Sequence, residues 1–119
     1  MHMLDPALIA TLRQEIRRGS VVILCLLALR EPGYGYALLR TLEAAGVATD
    51  ANTLYPLLRR LERQGLVASE WVTDDPRPRK YYRTSEAGEE VAALLLEEWA
   101  AIARSINIFD EERHSDRAD

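Results

Sequence analysis

Two short stretches hold the residues best suited to chemistry. Asn52, Thr53, Tyr55, Arg59, Arg60 and Arg63 fall within one segment. Amide and hydroxyl side chains can bond to base edges in a DNA groove, and guanidinium groups pair with phosphates. Arg77, Arg79, Lys80 and Arg83 follow closely, around a turn stiffened by Pro76 and Pro78. A rigid cationic tip loses little entropy on meeting a phosphate backbone. Both groups could instead be ordinary solvated surface, with long side chains lying along apolar neighbours. Their clustering by type points to DNA. Asn52 and Thr53 are the candidates for base edges, and Arg59, Arg60 and Arg63 for phosphates or for pairing with Glu62. Tyr55 either donates to a phosphate or packs against its own domain. Arg79 and Lys80 are adjacent in a strand-like pattern, so they face opposite ways and one of them serves the fold.

Other chemistries lack their residues. The two histidines, His2 and His114, lie in the termini, and Cys25 is the single cysteine. No catalytic triad, internal disulfide or cysteine-cluster metal site can be assembled, and no glycine-rich phosphate loop appears. No enzyme activity and no cofactor are therefore expected. Cys25 sits in the all-apolar run Val21–Leu29 and reads as a small core residue. That run is too short for a membrane span. No signal-peptide pattern is visible, so a cytoplasmic location is expected. The formal net charge is −4, which taken whole disfavours nucleic acid. Its distribution is uneven: residues 1–33 carry net +1, residues 34–84 net +2, and residues 85–119 net −7. A partner meets the local field, and the middle of the chain is basic.

The elements that must position these groups are mostly helices. Asp5-Pro6 reads as a helix start, with Leu8, Ile9, Leu12 and Ile16 on one stripe of a helix over about 6–17. Gly19-Ser20 marks a break, and a nearly all-apolar helix follows to Arg30 at the centre of the domain. After the turn Glu31-Pro32-Gly33, Tyr34-Gly35-Tyr36 leads into a helix that Gly46 closes. The central helix, about 50–64, is capped by Thr49 or Asp50, closed by Gly65, and turns Leu54, Leu57, Leu58 and Leu61 inward. Pro56 predicts an irregular first turn. Residues 66–84 read as two strands around the proline turn, with Trp71 and one of Tyr81 and Tyr82 inward. Tyr34 and Tyr36 read as packing residues. Two helices in a helix-turn-helix followed by a hairpin make a winged helix, here residues 1–84. Ser85 caps a last helix to about Phe109, and the charged segment 110–119 is expected to be disordered. Val91, Leu94, Leu95, Trp99, Ile102, Ile106 and Phe109 form a long apolar stripe with little chain left to cover it, so it marks an interface.

The chain resembles the PadR-type transcriptional regulators. The resemblance rests on Arg18-Gly19, Tyr34-Gly35-Tyr36 and Thr53-Leu54-Tyr55-Pro56 with Leu58, Arg60 and Leu61. It continues through Gly65-Leu66-Val67, Pro78-Arg79-Lys80-Tyr81-Tyr82 and Thr84-Ser85-Glu86-Ala87-Gly88. It implies a mainly α fold with a two-stranded β wing and a C-terminal dimerisation helix over 85–109. It also implies a homodimeric repressor on a palindromic operator in double-stranded DNA, with the central helix in the major groove. Dimerisation would use the last helix with Leu8 and Leu12 of the first packed against it. With no separate ligand domain, any inducer is expected at or near the dimer interface. There two Trp99 indoles across the two-fold axis would make a flat site for a small aromatic inducer, or Trp99 is simply a core residue of the interface. Asn52 stands where many relatives carry glycine. The competing expectation is a winged-helix protein-interaction module without DNA binding, motivated by the overall acidity.

Overall fold

The computed structural model describes residues 3–47, 49–74 and 76–118, with side chains to residue 112. Met1, His2, Ala48, Asp75, Asp119 and the His114 side chain lie outside the described residues. The elements in chain order are α1 (Pro6–Ala28), β1 (Gly33–Tyr34), α2 (Gly35–Ala44), α3 (Ala51–Arg63), β2 (Val67–Val72), β3 (Arg79–Thr84) and α4 (Glu86–Ala118). Extents of 67 × 33 × 22 Å reflect α4, which at 33 residues is about 50 Å long and outruns the domain.

The first helix corrects the expected break at Gly19-Ser20, because α1 is continuous over 23 residues. Gly19 keeps a negative φ, and a mid-helix glycine costs only about 1 kcal/mol against alanine. Packing of Val21, Cys25 and Leu26 outweighs that, and the Ser20 hydroxyl donates to the Arg17 carbonyl at 2.9 Å instead of competing with the helix. Asp5 caps the start, its Oδ1 accepting from the Ala7 N–H at 3.0 Å, with Pro6 at the first helical position.

Both glycines expected to close helices do so. Gly46 has φ +91° and Gly65 φ +77°, a region that side chains with a Cβ avoid. Val47 donates to the Leu42 carbonyl at 2.8 Å and Leu66 to the Leu61 carbonyl at 2.9 Å, each paired with a glycine N–H bond one turn in. This is the double closure that satisfies a helix's last carbonyls. Asp50, not Thr49, caps α3, with Oδ1 accepting from the Thr53 N–H at 2.9 Å. The helix runs unbroken through Pro56.

The wing is part of a three-stranded antiparallel sheet in the order β1-β3-β2, one strand more than expected. β2 and β3 pair from Val67↔Thr84 to Val72↔Arg79, and Gly33-Tyr34 adds to β3 opposite Tyr82 and Tyr81. A two-residue strand is too short to show a period, which is why the pattern hides it. Alternation puts Val67, Ser69, Trp71, Lys80, Tyr82 and Thr84 on the face toward α3. Tyr82 is the inward tyrosine. Trp71, expected in the core, is 61% exposed instead. It lies next to the wing tip, opposite Lys80.

The core is a set of leucines from every helix but the last: Leu26, Leu29, Leu42, Leu54, Leu58 and Leu61 are fully buried, with Cys25 among them. Burial pushes the Cys25 thiol up to about 12, which keeps it protonated and unreactive. The last helix continues through 110–118, where disorder was expected. No proline or glycine interrupts the segment, and its glutamates and arginines are good helix formers.

One junction ties these elements together. Thr84 donates from its backbone N–H to the Leu29 carbonyl at 2.9 Å and from Oγ1 to the Leu26 carbonyl at 2.6 Å, satisfying carbonyls at the end of α1. Ser85 donates from its N–H to the Leu66 carbonyl and from Oγ to the Gly65 carbonyl, and its Oγ caps α4 by accepting from Gly88 at 3.0 Å. Gly88 passes so close that a Cβ there would run into the Leu66 carbonyl oxygen and Thr84 Cγ2. Gly88→Ala is expected to lower the unfolding free energy by about 1–3 kcal/mol, read as the midpoint of urea denaturation; an unchanged midpoint would mean that α4 can slide off Leu66 freely.

Candidate nucleic-acid interface

The leucine face of α3 decides what its other faces can do. With Leu54, Leu58 and Leu61 buried, the helical period turns Asn52, Thr53, Arg59, Arg60 and Arg63 outward, and all five are exposed. Among the described residues none of the three arginines has an ion pair. The helix therefore presents short polar groups near its N-terminus and cations further along.

Tyr55 differs from its neighbours. It is half-buried, and its ring lies so close to Gly35, at the start of α2, that a Cβ there would stand 2.6 Å from Tyr55 Cε1. The open alternative resolves toward packing: Tyr55 braces α3 against α2.

The wing cations divide by face. Lys80 points toward α3, where its Nζ lies 2.9 Å from Glu62 Oε1, while Ser69 Oγ donates to Glu62 Oε2 at 2.7 Å. Lys80 is thus tied to α3, and Glu62 is taken by the wing rather than by the arginines of its own helix. The bonds from Lys80 and Ser69 hold the Glu62 carboxyl below its ordinary value, and the bond from Glu62 raises Lys80. Arg79 faces the other side of the sheet, with its guanidinium 4.9 Å from the Tyr34 ring centre. Tyr34 meets Tyr81 edge-on at 4.8 Å. This stack spans the β1–β3 seam, so Tyr34 packs as expected, whereas Tyr36 is exposed beside Arg40. Arg77 at the tip and Arg83 on the outer face are exposed and have no ion pair among the described residues.

The apolar stripe of α4 is also divided. Val91 and Leu95 are half-buried against the domain's own core, while Leu94, Trp99, Ile102, Ile106 and Phe109 are exposed, Phe109 by 73%. Leu8 and Leu12, with Ile16, make a second exposed apolar stripe on the first half of α1.

Sequence reasoning missed two groups. The Glu62–Ser69–Lys80 clamp joins residues whose facing follows from strand alternation, but whose meeting depends on how the sheet docks on α3. Arg17 and Arg18 of α1 flank α3 across a cleft; nothing local marks them as neighbours of Arg60 and Arg63. Among the described residues no cluster of His, Cys, Asp and Glu could hold a metal, and no helix is long and apolar enough to cross a membrane.

A helix-turn-helix of α2 and α3, followed by a sheet whose β2–β3 hairpin projects beside the second helix, defines a winged helix-turn-helix protein. Comparison with known proteins makes the class specific. Residues 23–94 match the transcriptional regulator PadR-like family, and the chain belongs to that family. A crystal structure of a PadR family transcriptional regulator from Eggerthella lenta is 46% identical, with a TM-score of 0.82 over 85% of this chain and 90% of that one. A transcriptional regulator from Clostridium thermocellum is 28% identical, with a TM-score of 0.75 over 80% of this chain and 97% of that one. The transcriptional regulator Rv3488 of Mycobacterium tuberculosis is 39% identical over 69 residues, 58% of this chain and 62% of that protein. The family consists of DNA-binding regulators rather than enzymes.

The clamp between α3 and the wing should be visible in the pH dependence of stability. A carboxyl held low in the folded state stabilises above its unfolded value of 4.5, and that contribution is lost as pH falls through the lowered folded value. The raised Lys80 stabilises below 10.5 and loses its contribution as pH rises past its folded value. Glu62→Gln is expected to be less stable than the parent near neutral pH, with the gap closing below 4.5. Denaturant unfolding from about pH 3 to about pH 7 checks this; a gap that stays constant would remove the clamp's electrostatic role.

Proposed function

We propose that the chain is a cytoplasmic, homodimeric repressor that binds a palindromic operator through α3 and the wing. The observation that carries this reading is the outward face of α3, where Asn52, Thr53, Arg59, Arg60 and Arg63 are exposed and, among the described residues, no carboxylate takes up the three guanidiniums. Asn52 and Thr53 read base edges, and the arginines hold phosphates on either side of the groove. In the wing, Arg77 and Arg83 reach the flanking backbone. Arg79 and Lys80 act mainly by shaping the wing, and Tyr55 by bracing the helix.

Dimerisation uses the exposed stripe of α4 from Leu94 and Trp99 through Ile102, Ile106 and Phe109, with Leu8 and Leu12 of α1 against it. Val91 and Leu95 contribute from the edge of the core. Exposed apolar area of this length is costly to leave in water, and a two-fold partner offers the same stripe in return. Two recognition helices would then address half-sites roughly 34–36 Å apart. A small aromatic inducer is proposed to bind between the paired Trp99 side chains. The alternative function, a protein-interaction module without DNA binding, keeps its motive in the net charge of −4.

The deciding test is anisotropy titration against labelled DNA from upstream of the protein's own gene, beside a scrambled duplex, at several salt concentrations. Tight binding to the first and weak, steeply salt-dependent binding to the second supports the repressor reading; absence of binding to either, and to other promoters, favours the interaction module. In the same assay Arg59→Gln with Arg63→Gln should weaken binding to all sequences and reduce the salt slope by about 2, one for each phosphate no longer neutralised. Unchanged slopes would count against the phosphate roles.

Light scattering should show Ile102→Glu as a monomer where the parent is a dimer; a dimeric variant would move the interface elsewhere. Planar aromatic compounds should quench tryptophan fluorescence in Trp71→Phe but not in Trp99→Ala. The Trp71 control matters because that indole is also exposed, and equal quenching in both variants would sink the inducer site.

A further inference from the structure

Between α1 and α3 lies an open cleft of about 630 Å³, within the range of small-molecule sites. Its walls are two helical stripes of the same spacing. Gln14, Arg17, Arg18 and Val21 form one, and Thr53, Pro56, Leu57 and Arg60 the other, with Arg63 one turn further on.

Two features of the lining stand out chemically. Four arginines, Arg17, Arg18, Arg60 and Arg63, line it against one acid, Asp50, whose Oδ1 already accepts the Thr53 N–H. None of the four arginines has an ion pair among the described residues. Like charges brought together from two helices repel, and an anion between them removes that repulsion while gaining bidentate bonds. The second feature is apolar. Val21, which is almost wholly buried, half-buried Leu57 and the ring of Pro56 supply a surface that water wets poorly. A phosphate of a duplex backbone needs exposed guanidinium and no recess. A concave site with apolar and cationic parts suits a compact ligand that has both.

We propose that this cleft binds a ring-bearing organic dianion, an aromatic or heterocyclic ring carrying two acidic groups, and that this ligand competes with DNA. The ring rests on Val21, Pro56 and Leu57, and the acidic groups pair with arginines of both helices. Thr53, Arg60 and Arg63 belong to the cleft and to the proposed DNA face at once, so an occupied cleft withdraws them from DNA. The competition rests on the DNA-binding reading; occupancy of the cleft does not. The site is separate in place and in chemistry from the Trp99 stripe, which has no such cluster of cations among the described residues.

The test uses the full chain without DNA first. Methyl NMR spectra are recorded during titration with naphthalene-2,6-dicarboxylate and with the neutral naphthalene-2,6-dimethanol. Saturable shifts of the Val21 and Leu57 methyls are expected with the dianion, with affinity about ten-fold or more above that of the neutral compound. R17Q/R18Q should weaken the dianion by about ten-fold with the remaining amide spectrum unchanged, and Trp99→Ala should leave it unaltered. Equal affinity of the neutral compound at the Val21 and Leu57 methyls, no shifts of those methyls, or no effect of R17Q/R18Q on them would overturn the site.

The second arm adds operator DNA. The dicarboxylate should raise the apparent Kd of the parent and not that of R17Q/R18Q. Methyl shifts without any DNA binding would leave the cleft standing and remove the DNA reading. Loss of DNA affinity and salt slope in R17Q/R18Q, with no methyl shifts from the dianion, would make the arginines a seat for backbone phosphate and overturn the proposal.

Discussion

Three leucine side chains on α3 have to be dry, and most of the molecule follows from that requirement. Leu54, Leu58 and Leu61 are buried to within about one per cent of completely, each worth roughly 1.5–3 kcal/mol over exposure. A rigid helix with one face fixed in this way has no freedom left in the others. The flank at Tyr55 and Glu62 must meet α2 and the sheet. The opposite flank must face the cleft toward α1. The remaining surface carries Asn52, Arg59 and Arg63 to solvent.

Those side contacts turn a helix and a hairpin into one body. Tyr55 fills the space left by Gly35, and Glu62 ties Ser69 and Lys80 to the helix. The clamp is only partly buried, so its worth lies less in stability than in angle. It fixes where the wing stands relative to α3. Behind them, Thr84 and Ser85 close the end of α1, the end of α3 and the start of α4 in two residues. The start of α4 is thereby tied to the base of the wing.

Charge is sorted along the same architecture. Among the described residues Arg17, Arg18, Arg59, Arg60 and Arg63 on the helices and Arg77 and Arg83 on the wing have no ion pair, while the acids concentrate on α4. A chain with net charge −4 can thus present a positive surface to a polyanion, because field falls off within about a Debye length of 8 Å at physiological salt. Acidic residues on α4 beyond that distance from the α3 arginines do little to cancel them.

Much of this was legible locally. Helix starts at Asp5-Pro6 and Asp50, closures at Gly46 and Gly65, the leucine period of α3, and strands ending at the proline turn are all decided within a few residues, by capping, left-handed φ and period. The outward set Asn52, Thr53, Arg59, Arg60 and Arg63 followed from that period alone. Tertiary structure decided the rest. Gly19-Ser20 resembles a break, but packing of the following turns carries the helix through. Trp71 has a core residue's composition and an exposed position next to the wing tip. The roles of Lys80, Tyr55 and β1, and the approach of Arg17 and Arg18 to Arg60 and Arg63, depend on docking between segments distant in sequence. Period and propensity state which face of an element is apolar; only the packed core determines what that face, and its neighbours, come to touch.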